Sequence, residues 1–106
     1  MKKNFFIIGL LALSLFLAGQ AFAHTPLCSC WDNGDGTITC EGGFSDGSSA
    51  AGVEMSVMDL AGKVLKSGKM NEDSEFEFDK PKEPYKVLFD AGEGHRIEIR
   101  GDDIVE

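Results

Sequence analysis

Histidine and long apolar runs are scarce in this sequence, and each scarcity makes a class of protein less favoured. The 106 residues include two histidines, His24 and His95, and a single tryptophan. With so few imidazoles, general acid–base catalysis has few candidates, and no serine–histidine or cysteine–histidine pair stands out for nucleophilic chemistry. A phosphate-binding loop and an internal repeat are also missing. The sequence therefore predicts a protein that is not an enzyme.

The one long apolar run lies at the N-terminus. It extends from Phe5 to Leu17, follows the basic pair Lys2 and Lys3, and precedes Ala-Phe-Ala at 21–23. This order is typical of a cleaved secretory signal peptide, and the run is shorter than the ~20 residues that a spanning helix needs. We expect residues 1–23 to be removed and residues 24–106 to form one domain. That domain would be periplasmic or secreted and would not itself span a membrane.

Basic residues are few in the expected mature chain. Without Lys2 and Lys3, the chain has eight basic and 18 acidic residues, which gives a net charge of −10. A chain this acidic will not bind nucleic acid through backbone phosphates. It would instead attract cations and basic partners over a range that shortens as salt is added.

The three cysteines are Cys28, Cys30 and Cys40. In an exported protein, disulfides persist, and an odd count leaves one thiol over. A turn-rich segment at 32–36 would join two strands into a hairpin, and this arrangement favours Cys30–Cys40, with Cys28–Cys40 as the alternative. The cysteines are also weaker candidates for a thiolate site that binds Cu(I) or Zn(II), because such ligands suit soft ions.

Short alternating runs of apolar and polar residues recur along the rest of the chain. This pattern is typical of half-buried strands, and the regular spacing of turn residues indicates antiparallel pairing. The predicted strands cover Leu27–Trp31, Thr37–Phe44, Val53–Val57, Val64–Leu65, Phe76–Phe78, Tyr85–Phe89 and Ile97–Ile99. Seven strands without an amphipathic helix predict an all-β fold, a small antiparallel β-sandwich of the immunoglobulin-like or carboxypeptidase-regulatory-like kind. The acidic end after Arg100 is expected to fray.

The two histidines are the main candidate metal ligands. Cleavage after Ala23 would expose His24, whose α-amine and imidazole together can chelate a transition metal, and His95 could add a third nitrogen. Pro26 removes the backbone N–H that an amine–amide copper or nickel site would need. Nitrogen ligands suit Ni(II), Co(II), Cu(II) and Zn(II) alike. Asp90 and Glu93 are weaker additional candidates.

Several segments resemble the small secreted accessory components of nickel/cobalt importers of the energy-coupling-factor type. They are Phe44-Ser45-Asp46-Gly47, Val57-Met58-Asp59 with Gly62-Lys63-Val64-Leu65, Phe76-x-Phe78 and above all the run Phe89-Asp90-Ala91-Gly92-Glu93-Gly94-His95-Arg96. The resemblance implies a β-sandwich outside the inner membrane that captures Ni(II) or Co(II) and delivers it to the importer's metal-selective membrane subunit. It also implies that His24 and His95 are the ligands. Two departures stand out: Thr25 and Pro26 follow where such chains often have a second histidine, and the cysteines are not part of the family pattern.

Three alternatives remain open at the level of sequence. A periplasmic copper carrier could use a histidine brace or the thiols. A copper oxygenase also uses an N-terminal histidine, but 83 residues leave little room for a flat aromatic substrate face. A β-sandwich interaction module with incidental histidines would bind no metal at all.

Overall fold

The computed structural model describes residues 25–106, which form a seven-stranded antiparallel β-sandwich. The fold class predicted from the alternation is therefore confirmed. The signal peptide at 1–23 and His24 lie outside the described residues. The strands are β1 (Pro26–Asp32), β2 (Thr37–Phe44), β3 (Glu54–Asp59), β4 (Val64–Lys69), β5 (Glu75–Asp79), β6 (Tyr85–Asp90) and β7 (Arg96–Arg100).

The strands divide into a three-stranded sheet, β1-β2-β5, and a four-stranded sheet, β4-β3-β6-β7. All neighbours within each sheet are antiparallel. In the strand labels of immunoglobulin-like sandwiches this order corresponds to A-B-E and C′-C-F-G, without a strand D or C″ among residues 25–106. Within residues 25–106, no helix is long and apolar enough to cross a membrane.

The core consists of the inward-facing side chains of both sheets. Burial follows the period of two along β6, where Tyr85, Val87 and Phe89 are buried and the residues between them are half-buried. Phe89 is fully buried, and its ring centroid lies 6.2 Å from that of Phe44 in the other sheet. Of the two methionines on β3, Met55 is buried and packs in the core, whereas Met58 is half-buried.

A disulfide joins Cys30 and Cys40, which are directly opposite in the β1–β2 hairpin. The favoured pairing is thus confirmed. A cross-link over a sequence separation of 10 contributes about 3 kcal/mol in the chain-entropy treatment. Because side chains alternate across a strand, Cys28 shares the face of Cys30, packs against the core and remains a free thiol.

The C-terminal segment does not fray, contrary to the expectation from its acidity. Gly101–Asp103 form a short 3-10 turn, and Ile104 is buried with 7% of its surface exposed. The Val105 carbonyl then accepts a hydrogen bond of 3.0 Å from the Asp32 backbone N–H at the end of β1. Burial of one isoleucine and pairing with the end of β1 hold this segment in place despite its charge.

Candidate metal centre

His95 closes the tight turn that joins β6 to β7. The His95 carbonyl accepts a hydrogen bond of 3.0 Å from the Ala91 N–H, and the His95 N–H donates one of 2.9 Å to the Gly92 carbonyl. Gly92 and Gly94 have φ values of +111° and +80°, a region that side chains with a Cβ rarely adopt. The glycines therefore allow the chain to reverse within five residues and place His95 at the tip of the sheet.

The Asp90 carboxylate, at the end of β6, stabilises this turn through hydrogen bonds. Its Oδ1 accepts a hydrogen bond of 3.0 Å from the Gly92 N–H and another of 3.0 Å from Nε of Arg96. The Gly92 hydrogen bond, followed by the one from Arg96, holds the pKa of the Asp90 carboxyl below its usual range. The carboxylate thus stays ionised near neutrality, and one of its oxygens is already occupied by the turn itself.

The His95 ring is partly buried, with Nδ1 3.2 Å from the Glu93 carbonyl oxygen. When Nδ1 carries the ring proton, it donates to this carbonyl and leaves the Nε2 lone pair for a metal ion. Metal-bound histidines commonly donate their second ring N–H to a backbone carbonyl in this way. The Glu93 side chain is exposed, so its backbone rather than its carboxylate makes the observed contact.

The start of β1 lies at the same end of the sandwich as the His95 turn. Phe44, which pairs with Pro26 at the start of β1, contacts Phe89, and Phe89 pairs with Ile97 near the start of β7. At the opposite end, Asp32 bonds to the chain beyond β7. Hence β1 and β7 run in the same direction, and both begin at the end that carries the turn.

Thr25 is fixed at this end by two hydrogen bonds with Ser45. The Thr25 N–H donates to Ser45 Oγ at 3.1 Å, and the Thr25 carbonyl accepts from the Ser45 N–H at 2.9 Å. The first candidate ligand, His24, precedes Thr25 and lies outside the described residues.

The cysteines do not form a thiolate cluster. Cys30 and Cys40 are consumed by the disulfide, and burial raises the pKa of the Cys28 thiol to about 11. A thiol is a good metal ligand only as thiolate, so the environment of Cys28 disfavours that role. The carboxylates in the turn between β1 and β2 also have partners within the turn. Asp32 Oδ1 accepts a hydrogen bond from the Gly34 N–H, and Asp35 Oδ1 accepts one from the Thr37 N–H.

Between Thr25 and Glu106, no group of three or more His, Cys, Asp or Glu side chains is arranged to hold a metal ion. His95, Asp90 and Glu93 come together in one turn, but Asp90 is engaged with Arg96. Comparisons with protein-family models, curated proteins and solved structures found no match for this chain.

We expect Asp90→Ala to loosen the His95 turn without unfolding the domain. Loss of the acceptor for Gly92 and Arg96 should raise the exchange rate of the Gly92 amide about fivefold to tenfold, as measured by NMR hydrogen exchange. Because the pKa of Asp90 is lowered by folding, this protection is present at neutral pH and is lost as the pH falls through that lowered value.

The matched control is Asp90→Asn, which keeps an acceptor oxygen but loses the charge. We expect its Gly92 amide to show intermediate protection that does not respond to acid. Equal protection in the native chain and the alanine variant would contradict the positioning role of Asp90.

Proposed function

We propose that this protein binds Ni(II) or Co(II) outside the cytoplasm as an accessory to the metal-selective membrane subunit of a nickel/cobalt importer. The ion is cargo, bound by the α-amine and imidazole of His24 after cleavage and by the imidazole of His95. One observation carries the proposal: β1 begins at the same end of the sandwich as the His95 turn.

The chemistry of the described side chains supports nitrogen ligation over the other ligand types in this chain. Two cysteines form a disulfide, and the third thiol is partly buried with a raised pKa. Asp90 is paired with Arg96. The exposed Glu93 carboxylate remains as a weaker candidate. The nitrogens of the two histidines are the main candidates, and such ligands suit Ni(II), Co(II), Cu(II) and Zn(II). The preference for nickel or cobalt and the membrane partner rest on the family resemblance of the turn sequence.

Exposure of the site fits a protein that passes its metal on. Exchange to a partner requires that the partner's ligands reach the ion while it is still bound. Glu93 and Gly94 are exposed, and His95 lies at the tip of a sheet rather than inside the core. A chelate formed by a chain terminus is open to attack from the solvent side, whereas a buried site would hold its ion.

Binding should weaken strongly in acid. Imidazole and amine groups bind metal only in the neutral form, so metal binding competes with protons. We expect Ni(II) affinity to fall at least about a hundredfold between about pH 7.5 and about pH 5.

Calorimetric titration of the chain that begins at His24 tests the proposed function. Ni(II), Co(II), Cu(II) and Zn(II) are titrated in turn, with the N-terminus verified by mass spectrometry. Tight binding of Ni(II) or Co(II) that is lost in acid supports the proposal. Stronger selection of Cu(II) would favour the copper carrier, and no binding of any ion would leave an interaction module as the better description.

A further inference from the structure

The turn between β1 and β2 contains the dipeptide Asn33-Gly34, which has no part in the proposed metal site. Both residues are exposed, and Gly34 has a φ of +80°. In such a dipeptide the backbone nitrogen of the glycine can attack the side-chain amide carbon of the asparagine. Glycine has no Cβ beside that nitrogen, so the approach meets little steric hindrance. The turn therefore supplies both reacting groups of a deamidation.

The reaction needs only the chain and water. The Gly34 nitrogen loses its proton to the solvent and forms a bond to Cγ of Asn33, while the Cγ–Nδ2 bond breaks and the amide group takes up a proton and leaves as ammonia. Water then opens the cyclic imide. Attack of water on Cγ gives an aspartate, whereas attack on the backbone carbonyl carbon of the same residue gives an isoaspartate. Either product replaces a neutral amide by a carboxylate, without an oxidant, a reductant or an enzyme.

Two threonines of β2 hold the departing amide group in the folded chain. Asn33 Nδ2 donates hydrogen bonds of 3.0 Å to Thr37 Oγ1 and 2.8 Å to Thr39 Oγ1. Thr37 Oγ1 donates in turn to Asp35 Oδ1 at 2.6 Å, which orients that hydroxyl. An asparagine amide has two N–H groups, so both are engaged. The Asn33 side chain must give up these bonds before its amide nitrogen can leave.

The attacking nitrogen is restrained as well. The Gly34 N–H donates a hydrogen bond of 2.8 Å to Asp32 Oδ1, and the second oxygen of this carboxylate lies 2.9 Å from Lys80 Nζ. A carboxylate beside the N–H opposes loss of its proton, because the resulting anion would face a negative charge. The Asn33 N–H also donates to the Thr37 carbonyl at 3.0 Å, which closes the turn. Hydrogen bonds thus oppose both the attack and the departure in the folded turn.

Asn71 provides a comparison within the same chain, because it is the only other asparagine in residues 24–106. The residue after it is Glu72, whose side chain crowds the nitrogen that would have to attack. Its Oδ1 accepts hydrogen bonds of 2.9 and 3.0 Å from two backbone N–H groups of its own turn. Residues 24–106 contain no glutamine. Any deamidation of the expected mature chain therefore belongs to Asn33 or to Asn71.

We propose that Asn33 is a site of spontaneous deamidation through Gly34, and that the folded β1–β2 turn suppresses the reaction through its hydrogen bonds. The exposure of the turn supplies the water that opens the imide. Local opening of a turn breaks such bonds without unfolding the whole domain. The site therefore reacts while the turn is open and is protected while it is closed, so the extent of conversion records how long the turn has been open.

Conversion changes the turn itself. A carboxylate at position 33 cannot donate to the two threonine hydroxyls, and it adds a negative charge beside Asp32 and Asp35. Like charges this close repel each other. The isoaspartate product also adds one carbon to the main chain, which disturbs the closing hydrogen bond to the Thr37 carbonyl. Because the Asp32 N–H binds the Val105 carbonyl, we expect the modified turn to hold the C-terminal segment less firmly.

Peptide mass spectrometry of the chain that begins at His24 tests the proposal, after incubation in mildly alkaline buffer for a series of times. The folded chain is compared with the same chain unfolded in guanidinium, with its disulfide reduced and its thiols capped. We expect Asn33 to convert in both samples, at least about tenfold more slowly in the folded one. Asn71 should stay largely unconverted over the same period in both. Chromatographic separation of the two products distinguishes isoaspartate from aspartate.

Thr39→Val removes one acceptor of the Asn33 amide and keeps a β-branched side chain in β2. The folded variant should convert about threefold faster than the folded native chain or more, and the two should convert equally once unfolded. The matched control is Ser29→Ala, which removes a hydroxyl from β1 on the same outer face of the sheet and leaves the turn unchanged. Its rate should equal that of the native chain, and circular dichroism confirms that each variant is folded.

An unfolded chain in which Asn33 stays intact, or converts no faster than Asn71, would overturn the proposed site. Equal rates at Asn33 in the folded and unfolded chains would overturn the suppression by the folded turn. A folded Thr39→Val variant that converts no faster than the folded native chain would also contradict the role given to the hydrogen bonds.

Discussion

A single glycine added before His24 should reduce the affinity for Ni(II) at least about a hundredfold. The added residue converts the α-amine into a peptide amide, which removes one nitrogen of the chelate while leaving both imidazoles. Thr25 and β1 are unchanged by the extension, so the fold should be unaffected. Calorimetric titration of the native and extended chains at about pH 7.5 measures the difference.

His95→Gln is the companion variant on the other side of the site. It removes the imidazole but keeps a polar side chain at the tip of the β6–β7 turn, so the Ala91–His95 backbone hydrogen bond should persist. We expect a loss of affinity of tenfold or more, in line with removal of one ligand. Full affinity in both the extended chain and His95→Gln would place the metal elsewhere and contradict the proposed site.

Phe89→Ala should be the most destabilising single substitution in the core. The side chain is fully buried, and its ring lies against Phe44 of the facing sheet. Large-to-small changes of this kind cost about 3–5 kcal/mol, which is a large part of the stability of a small domain. Urea denaturation followed by circular dichroism should show a large decrease in the urea concentration at the unfolding midpoint. Phe89→Leu provides a milder variant that stays folded.

Leu88→Ala is the matched control for this prediction. Leu88 is adjacent in sequence but lies on the opposite face of β6, where it is half-buried. Its truncation should cost less than about 1.5 kcal/mol, because surface substitutions seldom cost more. Equal destabilisation by the two substitutions would contradict the inward and outward assignment along β6.

Local sequence patterns are sufficient to predict much of the fold. Alternation along Tyr85–Asp90 predicts which side chains are buried, and the turn residues between β1 and β2 place Cys30 opposite Cys40. Both signals depend on residues that are close in sequence, and the period of two leaves little freedom of register once one face is apolar.

Pairings between distant strands could not be predicted in this way. Cys40 lies beside Phe76, and Met55 lies beside Phe89. No local feature of the sequence specifies such neighbours, because the whole core selects them. The shared end of β1 and the His95 turn follows from these long-range pairings, so the sequence alone could not place His95 relative to the start of the domain.

The backbone conformation of Ser74 is a second feature that the sequence alone does not predict. It adopts a φ of +61°, and its Oγ accepts a hydrogen bond of 3.0 Å from the Ala50 N–H. Ala50 is fully buried, so this contact closes the loop before β3 over the core. A serine in the left-handed region is uncommon, and it is tolerated here because the surrounding contacts favour that conformation.

The most direct test of joint ligation by His24 and His95 is an NMR titration of the isotopically labelled mature chain with Co(II). Paramagnetic shifts and broadening should concentrate at Thr25 and in the turn at 91–96, and they should disappear in His95→Gln. Effects centred instead on Cys28 or on the carboxylates of Glu75–Asp79 would contradict a metal site formed by the two histidines.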